Sequence, residues 1–512
     1  MLSKVLSAYV IGVDAHIIEV EVDISSLGLP QFSVVGLPDA AVRESKDRIR
    51  PALKNVGFNF PLKKITVNLA PADLKKEGSS FDLPIAIGII ASEGLLEPSE
   101  IEGYMIVGEL SLDGRLKPVR GILPIAIETK RLGLKGLIVP EGNATEAAIV
   151  EGLNVYGLGS LPETIEFLKG IRSVEPMKVN IEDLMGQHSI YEEDFSEVKG
   201  QEHSKRALEV AATGSHNVLM VGPPGSGKTM LARRLPTILP PMTFEEAIEV
   251  TKIHSVAGML SDGMAIVAKR PVRMPHHTIS DVALIGGGQV PKPGEVSLAH
   301  YGILFLDELP EFKRNVLEVL RQPIENGYVT VSRAVASVTY PAQFVLVAAM
   351  NPCPCGYFAD TRHQCTCSPT MISRYRARIS GPLLDRIDLH IDVPAVPFKE
   401  LSNEYTGERS EVIRQRVIES REIQLRRFKD DGIYANGQMK TRHIKRYCKL
   451  TEDALSLLNR AMETLGLSAR AYSRILKVAR TIADLDKKDK IAANHVAEAI
   501  QYRSLDRSIQ GF

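Results

Sequence analysis

A phosphate-binding loop places the strongest constraint on how this chain can fold. The apolar stretch HNVLMV runs directly into GPPGSGKT, and a helical pattern, MLARRL, follows. Glycines here let the backbone wrap closely around a phosphate, with N–H groups pointing inward and a helix N-terminus behind them. This order predicts an α/β nucleotide-binding domain in which Lys228 would reach the β- and γ-phosphates of ATP and Thr229 would hold Mg²⁺. The predicted phosphate-binding residues are Gly222, Pro223, Pro224, Gly225, Ser226, Gly227, Lys228 and Thr229.

A second apolar strand pattern supplies two acidic candidates. In HYGILFLDELPEF the apolar run ILFL is followed by Asp307 and Glu308. Asp307 would complete the Mg²⁺ shell with Thr229, and Glu308 is placed to orient or deprotonate the attacking water. An acidic pair also occurs at plain strand-to-loop junctions, but the phosphate-binding loop upstream favours the catalytic interpretation.

Two more strand patterns and one helix carry the remaining polar candidates. AQFVLVAAMN ends at Asn351, where the γ-phosphate and the water would lie, and SGPLLDRIDLHIDVP places Arg386 immediately before an apolar strand. An arginine from a neighbouring subunit can raise the rate of phosphoryl transfer by about 10³–10⁵. Arg470 opens a helix from which it could touch bound phosphate. The predicted catalytic residues are Glu308, Asn351, Arg386 and Arg470.

Length and pattern together divide the chain into domains. A chain of 512 residues is too long for one hydrophobic core. Residues 1–172 alternate β-rich and helical runs, and residues 173–195 are acidic and lack periodicity, as in a linker. Residues 196–397 alternate strands and helices around the phosphate-binding loop, and residues 398–512 are helical in pattern. We therefore predict two α/β domains followed by a helical lid.

Charge and hydropathy restrict the partners. The chain has 62 basic and 62 acidic residues, so any contact with DNA must come from local clustering. One cluster, from Arg409 to Lys449, holds 12 Lys+Arg against 5 Asp+Glu, although such runs are commonly solvated helix faces. The first residues lack the pattern of a signal peptide, and no stretch reaches the roughly 18 apolar residues that span a bilayer. We expect a cytoplasmic protein with no membrane partner.

Four of the five cysteines lie in NPCPCGYFADTRHQCTCSP. Disulfides are rare in a reducing cytosol, whereas two C-x-C pairs in a loop too short for its own core can bring four thiolates around one structural Zn²⁺. The candidate zinc ligands are therefore Cys353, Cys355, Cys365 and Cys367. Reduced thiols in a packed loop are the alternative; His363 could replace one sulfur, and Cys448 is not assigned.

The order of these motifs resembles that of the AAA+ ATPases, in particular the branch with magnesium-chelatase motor subunits and minichromosome-maintenance helicases. RMPHHTISDVALIGGG, PKPGEVSLAHYGILFLDELPEF and NPCPCGYF are similar to stretches of the ComM/YifB family of magnesium-chelatase-like proteins, and the resemblance covers nearly the whole chain. That family is associated with natural transformation and with hexameric branch-migration helicase activity. The resemblance implies ATP and Mg²⁺ as cofactors, a homo-hexamer, and DNA as the partner.

The resemblance also assigns roles by position. Arg386 fits the place of the arginine that acts on the neighbouring subunit better than the arginines of SRYRARISG do, and Arg474 rivals Arg470. The assigned residues are Val198–Gln201 near the adenine, Asn351 as sensor 1, Arg386 as the arginine acting in trans, and Arg470 as sensor 2.

Residues 1–172 resemble the α/β domain of Lon-type proteases. In KEGSSFDLPIA, Ser80 falls at the position of the protease serine, and in GELSLDGRLKPVRGIL the position of the catalytic lysine is held by Leu123. A serine nucleophile without its base is not activated. The resemblance therefore implies a catalytically dead domain that serves DNA threading or hexamer stability.

Two insertions are candidates for contact with DNA. The first, IHSVAGMLSDGMAIVAKRPVRMPHHTISDVALIGGGQVP, carries Lys269, Arg270, Arg273 and the pair His276/His277; the second, GYVTVSRAVASVTYPA, has the pattern of a hairpin with Arg333 near its tip. In a hexamer such hairpins line the pore, where a few cations per subunit form rings of charge. Both insertions could instead be loops that pack subunits together.

Three functions from different classes compete. The first is an ATP-driven motor on branched DNA, and the second is the motor subunit of a magnesium-chelatase-like complex acting on a protein partner. The Lon-like domain and the cysteine insertion speak against the second. The third, an ATP-dependent protease or its regulator, is weakened by Leu123. Stimulation of ATP hydrolysis by DNA would separate the first from the others.

Overall fold

The computed structural model of this protein describes residues 2–26, 29–187, 191–260, 264–288, 291–333, 337–360, 363–397, 407–465, 468–503 and 505. The chain divides into two compact units. The first unit combines Met1–His188 with Phe244–Ala268, and the second combines Ser189–Thr243 with Lys269–Phe512.

The strands and helices of the described residues are numbered in chain order. The strands are β1 (Leu2–Ile11), β2 (Asp14–Ser25), β3 (Gln31–Val35), β4 (Lys64–Ala70), β5 (Tyr104–Ile106), β6 (Glu109–Leu110), β7 (Leu116–Lys117), β8 (Gly136–Pro140), β9 (Val155–Leu158), β10 (Val218–Val221), β11 (Val272–Arg273), β12 (Gly286–Gly287), β13 (Lys292–Pro293), β14 (Ile303–Leu306), β15 (Tyr328–Ser332), β16 (Ser337–Pro341), β17 (Val345–Met350) and β18 (Leu389–Asp392). The α-helices are α1 (Ala40–Arg43), α2 (Ser45–Asn55), α3 (Asp82–Ser92), α4 (Pro98–Ile101), α5 (Ile122–Arg131), α6 (Glu141–Ala148), α7 (Leu161–Leu168), α8 (Ile181–Gln187), α9 (Glu202–Gly214), α10 (Lys228–Ile238), α11 (Phe244–Ala257), α12 (Asp281–Ile285), α13 (Glu295–Leu298), α14 (Arg314–Val319), α15 (Arg321–Asn326), α16 (Pro369–Arg376), α17 (Gly381–Leu384), α18 (Ser410–Arg427), α19 (Thr441–Tyr447), α20 (Glu452–Leu465), α21 (Ala469–Leu485) and α22 (Ala493–Gln501).

A mixed seven-stranded sheet, with the order β3-β4-β2-β1-β5-β8-β9, organises the first unit. The pairs β1/β2 and β2/β4 are antiparallel, and the other neighbours are parallel. Helix α3 packs against β1 and β2 and is buried along its whole length, which is why its sequence, DLPIAIGIIAS, is a continuous apolar run without an amphipathic period. Gly88 permits the close approach, because a Cβ added there would lie 2.6 Å from Cγ2 of Val22.

Residues 244–268 belong to the first unit, although the sequence pattern places them inside the predicted domain 196–397. Helix α11 packs against α5, and the Ser255 hydroxyl donates to Glu146 Oε1 at 2.5 Å. The Glu146 carboxyl is buried, and its burial raises its pKa. The grouping depends on contacts between residues more than 100 positions apart in the sequence, so the local pattern could not indicate it.

A five-stranded parallel sheet, with the order β11-β14-β17-β10-β18, organises the second unit. The strands β10, β14 and β17 are fully buried, and their sequences VLMV, ILFL and VLVAAM are unbroken apolar runs, as expected for central strands covered on both faces. The mixed α/β architecture with a helical C-terminal region confirms the predicted fold class.

The C-terminal helices α18 to α22 share one hydrophobic core with the parallel sheet. Helix α21 buries Ile475, Val478 and Ile482 on one face, and the Ser468 hydroxyl accepts from the Ala471 amide as its N-cap. The predicted boundary between residues 397 and 398 lies at the edge of a stretch outside the described residues. Among the described helices, none combines the length and the apolar character needed to cross a lipid bilayer.

Candidate functional site

The phosphate-binding loop connects β10 to α10 at the carboxyl edge of the parallel sheet. Gly222 has no room for a side chain, because a Cβ there would lie 2.2 Å from the carbonyl oxygen of Val393. Gly227 precedes α10 with a φ of 91°, a left-handed conformation that favours glycine. The loop therefore presents backbone N–H groups and a helix N-terminus to one point, as an anion site requires.

Lys228 is held inside this loop. Its ammonium donates to the carbonyl oxygens of Gly222 at 2.7 Å and Pro223 at 2.9 Å, and it lies 3.3 Å from Oδ1 of Asn351. Burial lowers the pKa of Lys228. The loop lysine and the polar residue at the end of β17 are thus brought together, as their positions after neighbouring strands predict.

Thr229 and Asp307 form the candidate Mg²⁺ site. The Thr229 hydroxyl donates to Oδ2 of Asp307 at 2.8 Å, and Oδ1 of Asp307 accepts from the Glu308 amide at 2.9 Å. A hydroxyl and a carboxylate are hard oxygen ligands, the kind that Mg²⁺ prefers alongside phosphate oxygens and water. The residues present therefore fit the cation that the phosphate-binding loop implies.

Glu308 projects beside the candidate Mg²⁺ site. Its backbone has a φ of 53°, and its side chain is 59% exposed. Nδ1 of His277 lies 3.6 Å from Oε2 of Glu308, and the His277 ring packs edge-on against Phe312. In the sequence pattern, His277 is only one of several polar residues of the first insertion, with no predicted contact to Glu308. Recognition of β11 as the strand parallel to β14 would have found this contact, because parallel neighbours end at the same edge.

Gln201, the last residue of the predicted adenine-proximal segment, contacts the phosphate-binding loop. Its amide nitrogen donates to the carbonyl oxygens of Ser226 at 2.7 Å and Pro394 at 2.9 Å. The segment is thereby fixed between the loop and the end of β18.

Arg386 lies just before β18, but its guanidinium is buried within its own chain. It pairs with Glu325 and donates to the carbonyl oxygen of Pro382, and its side chain is 8% exposed. A role in the site of a neighbouring subunit requires this guanidinium to leave Glu325, so that role stays a prediction.

The two candidates for sensor 2 differ in their surroundings. Arg470 is 67% exposed, with a guanidinium nitrogen 3.6 Å from Asp385. Arg474, one turn further along α21, forms an ion pair with Asp388, whose side chain is almost fully buried. Arg474 is therefore committed to a structural ion pair, which favours Arg470 as the arginine available to phosphate.

The four clustered cysteines converge after Asn351. Sγ of Cys353 lies 3.3 Å from that of Cys355 and 3.8 Å from that of Cys365, and all four sulfurs lie within 4.8 Å of one another. Tetrahedral Zn²⁺ with Zn–S bonds of about 2.3 Å separates its sulfurs by about 3.8 Å. The donor set and its spacing therefore fit a closed structural zinc site.

The electrostatics of the cluster also favour a cation. Hydrogen bonds from the backbone of Tyr357 and Thr366 lower the pKa of Cys355, whereas burial and the neighbouring sulfurs raise the pKa of Cys367. A second thiolate beside the first is disfavoured unless a metal ion compensates the charge. The ring of His363 packs on Tyr357 away from the sulfurs, and Cys448 is buried in the lid near Leu476, so neither joins the cluster.

The two insertions place their cations differently. Strands β15 and β16 form the predicted hairpin, and Arg333 after β15 is exposed; residues 334–336 lie outside the described residues. In the first insertion, Arg273 forms a two-bond ion pair with Glu295, and Arg270 donates to main-chain carbonyls. Of the remaining two positions, Lys269 lies over the ring of Tyr191, and the ring of His276 packs at a tilt against that of His277.

In the first unit, the position that the Lon-type resemblance assigns to a catalytic lysine is apolar. Leu123 is fully buried at the start of α5, and its amide donates to Oε1 of Glu146 at 2.9 Å. Ser80 is partly buried, and its carbonyl oxygen accepts from the Gly108 amide. The residue at position 123 thus offers no base to Ser80.

Known proteins match this chain over nearly its whole length. Family profiles described as magnesium chelatase subunit ChlI, subunit ChlI of Mg-chelatase, and the ChlI C-terminal region match residues 194–401, 20–143 and 407–503. The chain is 46% identical to the competence protein ComM of Haemophilus influenzae, over 99% of both chains. It is 45% identical to YifB of Salmonella typhimurium, over 97% of this chain and 96% of that protein. The magnesium-chelatase 38 kDa subunit of Rhodobacter capsulatus is 29% identical, over 31% of this chain and 50% of that subunit.

Proposed function

Because this chain belongs to the ComM/YifB family of magnesium-chelatase-like AAA+ ATPases, we propose that it is an ATP-driven hexameric motor that migrates branched DNA in recombination or natural transformation. The observation that carries the proposal is the meeting of Lys228, Asn351 and the Thr229–Asp307 pair at one edge of the parallel sheet. Such an edge is where open α/β sheets bind their ligands.

Each residue of this edge has a proposed task in ATP hydrolysis. The loop amides and Lys228 bind the phosphates, while Thr229 and Asp307 hold Mg²⁺, which would neutralise charge on the transferring phosphoryl group. Glu308 orients the attacking water or takes its proton. Asn351 orients the γ-phosphate and the same water. The exposed Arg470 completes the site from the lid, and Arg386 serves the nucleotide of the next subunit after it separates from Glu325.

Contact with DNA is proposed for the hairpin of β15 and β16. Arg333 is exposed at its distal end, so a ring of subunits would present a ring of such cations to a phosphate backbone. The competence role named for the Haemophilus influenzae relative supports DNA as the partner.

A magnesium-chelatase-like motor acting on a protein partner is the second candidate. The match to the chelatase subunit covers only 31% of this chain, whereas the matches to ComM and YifB cover 97–99%. The extent of similarity therefore favours the DNA motor.

Forked DNA is expected to raise the rate of ATP hydrolysis and to promote the formation of rings, detected by a mass measurement.

Two variants test the ATP site and the hairpin separately. The Lys228→Ala variant should lose ATP turnover because the phosphates lose their buried cation. The Arg333→Ala variant should lower the slope of log K against log[salt] for DNA binding by about one unit. The Arg460→Ala variant, which removes an exposed lid cation, is the control. Full turnover by a monomer, or no response to DNA at low salt, would contradict the proposal.

The cysteine cluster is proposed to hold one structural Zn²⁺. Purified protein should contain about one zinc per chain by metal analysis, and Cys365→Ser should remove most of it, because three thiolates bind zinc more weakly than four. The matched control is Cys448→Ser, which alters a thiol outside the cluster. A Cβ added to Gly356 in the same loop would lie 2.5 Å from Pro224 of the phosphate-binding loop, so loss of zinc should also raise the KM for ATP. A folded wild-type protein free of zinc would defeat this prediction.

The first unit is proposed to be a relic of a Lon-type protease that serves DNA threading or hexamer stability. The buried Leu123 leaves Ser80 without a lysine base. A peptidase activity that Ser80→Ala abolishes would overturn this assignment.

A further inference from the structure

We propose that the helical lid carries a second surface for a nucleic-acid backbone, separate from the β15–β16 hairpin. The surface consists of Lys440, Arg442, Lys445, Arg446 and Lys449, and is called here the lid basic face. The inference rests on the proposed function and extends it, because it adds a DNA contact on α19 and the residues that flank it.

The structure divides nine of the twelve basic residues at positions 409–449 into two groups; Arg409, Arg426 and Lys429 are also exposed and belong to neither. Four arginines of α18 are committed to their own chain: Arg416 pairs with Glu209 and Glu408, Arg427 pairs with Asp484, and Arg414 and Arg421 donate to main-chain carbonyls. Residues 440–449 contain five cations and no acid, and all five cations are exposed. Residues 440–449 therefore form a group of five exposed cations with no acidic residue between them.

The lid basic face is rigid because the opposite side of the segment is anchored in the core. Ile444 and Cys448 are buried in the hydrophobic cluster, and Tyr447 packs against it. Within α19, Arg442, Lys445 and Arg446 are spaced by three residues and one residue, which places them on the outer face of the helix; Lys449 follows just after the helix ends. Arg446 lies over the ring of Tyr447, and Arg442 donates to Nε2 of the buried His443. The cations are thus held on a fixed surface and not on a solvated tail.

Nearby acids leave the face basic. Asp431 lies 4.0 Å from Arg446 and accepts from the Tyr447 hydroxyl, and Glu452 and Asp453 follow in the first turn of α20. Within the described residues, Lys440, Arg442, Lys445 and Lys449 have no acidic side chain within 4.0 Å.

The chemistry of the face matches phosphates in a row. From Arg442 to Tyr447, where α19 ends, the helical rise is about 7.5 Å, a length over which one strand of duplex DNA carries about two phosphates. A membrane-binding face would add exposed large apolar side chains to its cations, and residues 440–449 have none. The absence of aromatic side chains other than Tyr447 favours contact with the backbone over reading of bases.

The test is the salt dependence of DNA binding by the full-length chain. The triple variant Arg442→Glu/Lys445→Glu/Lys449→Glu should raise the Kd for forked DNA by about 10–100-fold at 100 mM salt and lower the slope of log K against log[salt] by about two to three units. ATP hydrolysis without DNA should be unchanged. The control variant Lys54→Glu/Lys130→Glu/Lys169→Glu makes the same change in net charge at exposed lysines of the first unit, and should leave the slope near that of the wild type.

The outcomes separate this inference from the proposed function. If the lid variant binds DNA with the same slope of log K against log[salt] as the wild type, the lid basic face does not contact DNA. The proposal of a DNA motor would then remain. Equal effects of the lid and control variants on DNA binding would also overturn the inference. So would a lid variant that loses binding to phosphatidylserine vesicles while its DNA binding is unchanged. If the wild type fails to bind DNA at low salt, the proposed function fails, and the inference fails with it.

Discussion

Replacing Glu308 with Gln is expected to lower kcat for ATP hydrolysis by about 10²–10⁴-fold, because general acid–base catalysis by a placed side chain contributes about that factor. The carboxylate stands at the end of β14, next to Asp307, whose Oδ2 accepts from Thr229. Glutamine keeps the size of the side chain and its contact with His277, but it cannot accept a proton from water. Affinity for ATP should change little, since Lys228 and the loop amides remain.

Turnover and nucleotide binding, measured on the same protein, check this result. Glu463→Gln, which changes an exposed carboxyl on α20, should hydrolyse ATP at the wild-type rate. A Glu308→Gln variant with an unchanged kcat would remove this residue from the chemistry, and one that no longer binds ATP would point to a structural role.

Replacing Asp388 with Asn is expected to destabilise the second unit by about 3–5 kcal/mol, the usual cost of breaking a buried ion pair by removal of one partner. Asp388 is 2% exposed, pairs with Arg474, and accepts from the Asn217 amide at 3.1 Å. Asparagine keeps the volume, but it leaves the Arg474 guanidinium without its counter-charge. Urea denaturation should show a lower free energy of unfolding.

A neighbouring residue offers the matched control. Asp385 lies one turn earlier and pairs with Arg470 on the same lid helix, but the Arg470 side chain is 67% exposed and that of Asp385 is 28% exposed. Asp385→Asn should therefore cost only about 0–1 kcal/mol. Equal destabilisation by the two variants would refute the special contribution of the buried pair.

The same pair predicts how stability depends on pH. Burial alone would raise the pKa of Asp388, but Arg474 and His216 outweigh burial and lower it. A carboxyl with a lowered folded-state pKa contributes stability above its unfolded pKa of about 3.9, and that contribution is lost as pH falls through the folded value. The difference in unfolding free energy between wild type and Asp388→Asn should thus be constant near neutral pH and shrink below about pH 4.

The buried pair also joins two predicted parts of the ATP site. Asp388 follows Arg386 by two residues, and Arg474 follows Arg470 by one helical turn. The ion pair therefore connects the start of β18 to the lid helix.

Much of the nucleotide site is predictable because its determinants are contiguous. GPPGSGKT specifies a loop through the backbone freedom of glycine and the helix behind it, and the runs VLMV, ILFL and VLVAAM specify central strands because both of their faces are buried. Parallel strands then bring their carboxyl ends to one edge, where Lys228 contacts Asn351 and the adjacent Thr229 contacts Asp307. The N-cap at Ser468 and the β15–β16 hairpin are likewise local features.

Local patterns were enough to predict the order of motifs, the fold class, the phosphate-binding loop and the grouping of four cysteines, since each depends on neighbours in the chain or on the period of apolar residues. Long-range packing was needed to show that residues 244–268 join the first unit, that His277 meets Glu308, that Arg386 is buried against Glu325, and that some lid cations are paired within the chain while others face solvent. Those outcomes depend on which distant side chains pack together, and burial then decides whether a charge is paired within the chain or left facing solvent.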